Sequence, residues 1–137
     1  MTDVIRPNAI ADDSAHGGLQ VFVTAGPTSL VADVKVSAGG LDLGPDPHDL
    51  VAAGLAACTT MTLRLYAQRK AWPLGAVHGE VRHHRDADLS PPDRFDREIT
   101  LDGALDDEQR RRLLQIAELC PIHKLLTQGA RIVTTVG

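Results

Sequence analysis

The sequence predicts an α+β fold, antiparallel sheet packed on a long central helix, and three observations predict it. Residues 47–70, "PHDLVAAGLAACTTMTLRLYAQRK", form one helical stretch with almost no polar face. Strands of period two come in neighbouring pairs on either side of it. An amphipathic helical pattern, "LDDEQRRRLLQIAELC", follows the second pair. At 137 residues the chain has the size of a single domain, residues 1–137, with room for a real core.

Residues 1–16 carry no period and read as a loose N-terminal segment. "LQVFVT" (19–24) and "LVADVKV" (30–36) alternate apolar and polar residues around Gly26-Pro27, which predicts a hairpin. "SAGGLDLGPD" supplies turns, with a short third strand expected around Leu41–Leu43. Asp46 caps the central helix, Pro47 fits its first position and Asp49 adds a carboxylate to its first turn. Gln68, Arg69 and Lys70 suit its negative end, and Trp72-Pro73 stops it. A helix apolar nearly all round is buried all round. So short a chain has little to surround it, so a partner subunit is expected to cover it in a homodimer.

"AVHGEVRHHRD" and "RFDREITLDG" read as a second strand pair. Val77, Gly79 and Val81 share one face of the first, against His78, Glu80, Arg82 and His84. Phe95, Ile99 and Leu101 oppose Asp96, Glu98 and Asp102 on the second, so a basic outer face meets an acidic one. In the next helix Asp106 and Gln109 fit a capping box, and Leu113, Ile116, Ala117 and Cys120 share a face. Pro121 starts a short helix through Leu126, and "ARIVTTV" is expected as a last strand.

Composition narrows the function. A net charge of −4 and the lack of a basic run interleaved with aromatics argue against nucleic-acid binding. The start "MTDVIRPNAI" is not a signal peptide, and the Ala-rich stretch near residues 50–57 is too short to span a membrane. A soluble, cytoplasmic protein is expected, without a membrane partner. In that compartment two cysteines mean redox or metal chemistry, or plain packing, more often than a staple.

Cys58 lies mid-helix on a stripe with Gly54, Met61 and Leu65. Cys120 ends an apolar helix face, one residue before a proline at a helix start, where free backbone N–H groups favour a thiolate. Both point inward, from the two helices expected to meet. Two packed thiols and a redox pair both satisfy this pattern. Cys120-x-x-His123 is half of a zinc spacing, but no second closely spaced cysteine exists, and His83 and His84 point to opposite strand faces. No metal and no cofactor is expected.

"PHDLVAAGLAACTTMTLRLYAQRKAWPL" together with "EQRRRLLQIAELCPIHKLL" resembles the OsmC/Ohr family of thiol-dependent organic hydroperoxide reductases. The similarity covers roughly residues 18–136: a helical A-A-C, a Trp-Pro exit and a C-P pair in order. "AACTTMTLRLYA" and "CPIHKLL" are closer to the broader OsmC-like branch than to the hydroperoxide-resistance branch. The resemblance implies an intertwined homodimer with long central helices wrapped by sheets, each active site drawing on both subunits. It implies Cys58 as the peroxidatic cysteine and Cys120 as the resolving one. It also implies an organic hydroperoxide as substrate and a dithiol reductant such as a lipoylated protein. The pairing makes chemical sense, since a sulfenic acid needs a nearby thiol to trap it before further oxidation.

One part of the family pattern is missing. The family's peroxidases hold the thiolate with an arginine from the N-terminal strand region, oriented by a glutamate near the start of the central helix. Here that glutamate's place is His48, followed by Asp49, and no arginine occurs between Pro7 and Met61. Three residues are candidate assistants. His48 lies about 15 Å from Cys58 along one helix, so it serves only a partner's thiol or a folded-back one. Arg64 lies roughly 120° round the helix from Cys58 and is expected to pair with an acid at the dimer interface. His123 follows Cys120 in the short helix. The alternative function is an OsmC-fold protein without fast peroxidase activity, binding a small apolar or thiol-reactive ligand at the dimer interface.

Overall fold

The computed structural model describes residues 7–137, in two compact units that divide after residue 51. In the first unit, strands β1 (Ala9–Asp13), β2 (Val21–Ala25) and β3 (Thr28–Ala32) form an antiparallel sheet in chain order. The expected hairpin is present: Ala25 faces Thr28 across Gly26-Pro27, with Gly26 at φ 56°, in the left-handed region glycine tolerates. β1 lies where no period is visible, because all five of its residues are exposed and no buried face imposes alternation. Residues 1–6 of the expected loose segment lie outside the described residues.

No strand forms at Leu41–Leu43. The backbone N–H groups of Leu41 and Leu43 instead donate to Asp33 Oδ2, at 3.0 and 3.1 Å. Asp33 is 2% exposed and also accepts from Gln20 Nε2 and from the Val34 N–H. Burial pushes its carboxyl up, but these four hydrogen bonds outweigh it and hold the carboxyl below its ordinary value.

Helix α1 runs Pro47–Lys70, as expected. Asp46 and Asp49 cap it reciprocally: Asp49 N–H donates to Asp46 Oδ1 (2.8 Å) and Asp46 N–H to Asp49 Oδ2 (3.0 Å). It ends at Ala71, which takes φ 54°. By length and composition alone the helix could cross a bilayer, with a mean hydropathy of 1.4 over its most apolar window. In the fold it instead buries one stripe, Leu55, Thr59, Leu63 and Ala67. On the opposite side Met61 is 69% and Leu65 47% exposed, so the chain by itself does not bury the helix all round.

In the second unit β4 (Leu74–Arg85) and β5 (Asp93–Gly103) pair antiparallel. Helices α2 (Asp107–Ala117) and α3 (Pro121–Gln128) follow. The core joins Leu63 and Ala67 of α1 and Leu74 of β4 to Leu113, Ile116 and Ala117 of α2. Tyr66, Trp72, Val77, Ile99, Leu101 and Leu105 pack around it. The capping box of α2 is complete, with Gln109 N–H on Asp106 Oδ1 and Asp106 N–H on Gln109 Oε1. The charge match across β4 and β5 holds in part. Arg82 faces Asp96 and His84 reaches Asp96 at 3.1 Å, but Glu80 faces Glu98, and Glu80 is neutralised along its own strand by His78 and Arg82.

The expected last strand is not formed. Residues 129–137 carry no regular structure, and Ile132, Val133 and Val136 are 89%, 88% and 96% exposed. A strand needs a neighbour to take its N–H and C=O groups, and among the described residues none pairs with this segment.

Candidate two-thiol site

Pro121 opens α3 and has no N–H to satisfy, so the first helical position costs nothing there. Cys120 precedes it with extended backbone (φ −63°, ψ 142°) and serves as the N-cap. Its Sγ accepts the His123 N–H at 3.3 Å, and its carbonyl accepts the Lys124 N–H. The thiol is fully buried, but α2 has already ended at Ala117, so Cys120 does not extend the apolar face of Leu113, Ile116 and Ala117 as expected. Cys58 is half-buried on α1, with Sγ 3.9 Å from Thr62 Oγ1. Both cysteines are free.

Thr59, the residue after Cys58, is fully buried. Its hydroxyl donates to Leu55 O at 2.7 Å and so turns a lone pair toward β5. There Arg97 donates from Nη1 to Thr59 Oγ1 (3.0 Å) and from Nη2 to His123 Nδ1 (3.2 Å). A guanidinium has no acceptor, so Nδ1 must be the unprotonated nitrogen of that ring. Nε2 then carries the hydrogen and donates to Glu118 Oε2 at 3.0 Å. Glu118 caps the C-terminus of α2 and lies 3.9 Å from Arg97 Nη2 through its other oxygen. A chain of polar contacts thus runs from the turn carrying Cys58 to the turn carrying Cys120.

Of the three candidate assistants, only His123 stands in this chain. The Arg64 guanidinium donates to the carbonyl oxygens of Leu74 (2.9 Å) and Gly75, where it ties α1 to the start of β4. His48 is exposed in the first turn of α1, within the first unit, beside a hollow lined by Val34, Lys35 and Asp46. Sequence reasoning missed Arg97, Thr59 and Glu118. One signal for Arg97 was available, because the alternation Phe95-x-Arg97-x-Ile99-x-Leu101 puts a charge on an apolar strand face.

A cavity of about 320 Å³ adjoins His123, lined also by Leu55, Pro91, Phe95 and Leu126, with Asp93 at its edge. His83 packs against Phe95 (ring centroids 4.9 Å apart) and its Nε2 meets Asp93 Oδ1 at 2.8 Å. That contact, opposed by partial burial and helped by Arg85, holds the Asp93 carboxyl below its ordinary value.

The fold and the site define a class: a two-cysteine α+β protein whose thiol-bearing helices pack on antiparallel sheet. The chain belongs to the OsmC-like protein family, whose model matches residues 19–135. No protein among curated sequences matches it. Three solved structures illustrate the likeness. A Psychrobacter arcticus protein, provisionally assigned as osmotic stress induced and a detoxification response protein, is 22% identical, with a TM-score of 0.73 over 90% of both chains. An OsmC-like protein from Mycoplasma pneumoniae is 17% identical, with a TM-score of 0.70 over 92% of this chain and 89% of that one. An organic hydroperoxide resistance protein from Elizabethkingia anophelis is 21% identical, with a TM-score of 0.66 over 90% and 89%. At these identities the likeness establishes the fold.

Proposed function

We propose that this protein reduces organic hydroperoxides through Cys58 and Cys120. Cys58, as thiolate, attacks the terminal peroxide oxygen; the O–O bond breaks, the alkoxide takes a proton and leaves as the alcohol, and Cys58 becomes a sulfenic acid. Cys120 then attacks the sulfenic sulfur, hydroxide leaves as water, and a disulfide joins the two. A dithiol donor, such as a lipoylated protein, restores both thiols by exchange and is itself oxidised to a disulfide. The observation that carries this reading is the contact chain Thr59–Arg97–His123, which ties the turn after Cys58 to the turn where Cys120 accepts an amide hydrogen. Family membership supports it, as does the hydroperoxide-resistance role given to structurally similar proteins.

The working unit in this reading is a cytoplasmic homodimer, with both compact units acting as one domain. The exposed stripe of α1 at Met61 and Leu65 and the uncovered Ile132, Val133 and Val136 support a subunit interface. It should bury more than about 2,000 Å². A second reading, a family member that binds a small apolar or thiol-reactive ligand without fast peroxidase activity, draws on Arg64. The arginine nearest Cys58 in the sequence is committed to backbone carbonyls.

Single-turnover peroxide loss in the wild type, Cys58→Ser and Cys120→Ser separates the two. Turnover with a dithiol donor should disappear in both variants, while the first, stoichiometric reaction should disappear only in Cys58→Ser. A peptide linked 58–120 should appear after one equivalent of cumene hydroperoxide. Absence of any Cys58-dependent reaction would favour ligand binding, and a stable folded monomer in sedimentation would exclude the dimer.

A further inference from the structure

The inner face of β5 carries Asp93, Phe95, Arg97, Ile99 and Leu101, and Arg97 is the one cation in that row. Its side chain is only 10% exposed. A guanidinium so placed is costly unless its N–H groups are matched. Here they are matched by a hydroxyl and an imidazole nitrogen, both neutral, at 3.0 and 3.2 Å. Among the described residues the acid that reaches it is Glu118, 64% exposed and 3.9 Å away, so it offsets the charge through partly solvated space. Positive charge is therefore left on the inner face, between the helix of Cys58 and the first turn of α3. Removing Arg97 would release His123 on one side and Thr59 on the other, and His123 supplies the amide that meets Cys120 Sγ.

We propose that Arg97 is a positioning residue for the two-thiol reaction, locking the first turn of α3 against α1 so that Cys120 meets the sulfenic acid on Cys58. The inference rests on the hydroperoxide-reducing reading above and assigns Arg97 to its second step. In that step the Cys120–sulfur bond forms as the sulfenic C–S–OH loses hydroxide, which leaves as water. No oxidant beyond the peroxide is needed. Negative charge passes through Cys120 Sγ as it attacks, and the groups linked to it are Arg97 from β5, Glu118 from the end of α2 and His123 from α3. Thr59 and Cys58 are the α1 side chains on this path, and neither brings a formal charge in its neutral form.

The test resolves the two steps in the full-length protein. After one equivalent of cumene hydroperoxide, peroxide loss and appearance of the 58–120 disulfide are followed separately against pH in the wild type, Arg97→Met, Arg97→Lys and Glu118→Gln. Misplacement on the ångström scale can cost about 100-fold in such a step. Arg97→Met should therefore slow disulfide formation at least tenfold, move its pH profile upward and leave more untrapped sulfenic acid on Cys58. Arg97→Lys keeps the charge but lacks the planar fork that reaches Thr59 and His123 together. It should recover the pH profile and only part of the rate. Glu118→Gln sits on the surface and keeps an acceptor for His123, so its folding is not at risk, and its profile should move downward.

Arg97→Met forming the disulfide at the wild-type rate and pH overturns the inference while leaving the hydroperoxide reading intact. If Arg97→Met does not fold, an unmoved profile in Glu118→Gln overturns it alone. A wild type that forms no 58–120 disulfide overturns both.

Discussion

Replacing Thr59 by valine tests the contact chain without disturbing its shape. The side chain is fully buried, and valine fills the same volume, so no cavity opens. What disappears is the acceptor for Arg97 Nη1 at 3.0 Å, a hydrogen bond to a charged group worth about 1.5–3 kcal/mol. The hydroxyl's other bond, to Leu55 O, adds little, because that carbonyl lies within α1, where the helix ladder supplies a donor. Burying a methyl in place of the hydroxyl returns on the order of 0.8 kcal/mol. The net expectation is a loss of about 1–2 kcal/mol. In urea, with a slope of about 1–3 kcal/mol/M, that lowers the midpoint by roughly 0.3–2 M at constant slope and fixed protein concentration. The same substitution made in Arg97→Met should cost almost nothing, giving a coupling of at least about 1 kcal/mol in the double-mutant cycle. Thr59→Ser should keep the coupling. A Thr59→Val protein as stable as the wild type, with an additive cycle, would refute the reasoning.

Leu113 is fully buried in the core cluster, and Leu113→Ala should cost about 2–5 kcal/mol in the same urea assay. Gly103 sits at φ 115°, and an added Cβ would meet Pro73 O at 2.2 Å and Gly75 N at 2.6 Å. Gly103→Ala should therefore cost at least about 1–3 kcal/mol and loosen the start of β4, seen as faster amide exchange near Leu74. Asp33 has a depressed carboxyl, so its contribution is present above the ordinary carboxylate value and lost as pH falls through the folded one. The amide signals of Val34, Leu41 and Leu43 should titrate together, with a midpoint below the ordinary carboxylate value, and Asp33→Asn should abolish that titration.

Much of this fold is legible in the sequence wherever burial imposes a period or a cap imposes a residue type. Asp46-Pro47 and Asp106-x-x-Gln109 start their helices as read, and the two hairpins fall where alternation places them. β1 was hidden because a wholly exposed strand has no face to mark. Leu41–Leu43 has strand-like alternation, but the Asp33 carboxylate takes its amides, a tertiary bond that no local pattern announces. In the site, the cysteines and His123 were visible as residue types. Arg97 was not, because an arginine in a charged strand looks solvated until its parity is counted. The contacts of Arg64 were hidden for a similar reason: they go to carbonyls at the start of β4, and carbonyls leave no trace in a sequence.

The segment 130–136, "ARIVTTV", has a consequence for how the chain meets other chains. It holds one charge, no proline and a run of β-branched residues, and its apolar side chains stand almost wholly in solvent. Such a strip is a template for strand addition by any chain that offers a free β edge. Dilution slows such encounters, while heat and crowded synthesis favour them. A segment that stands so far in solvent is thus an aggregation hazard carried by the folded chain itself.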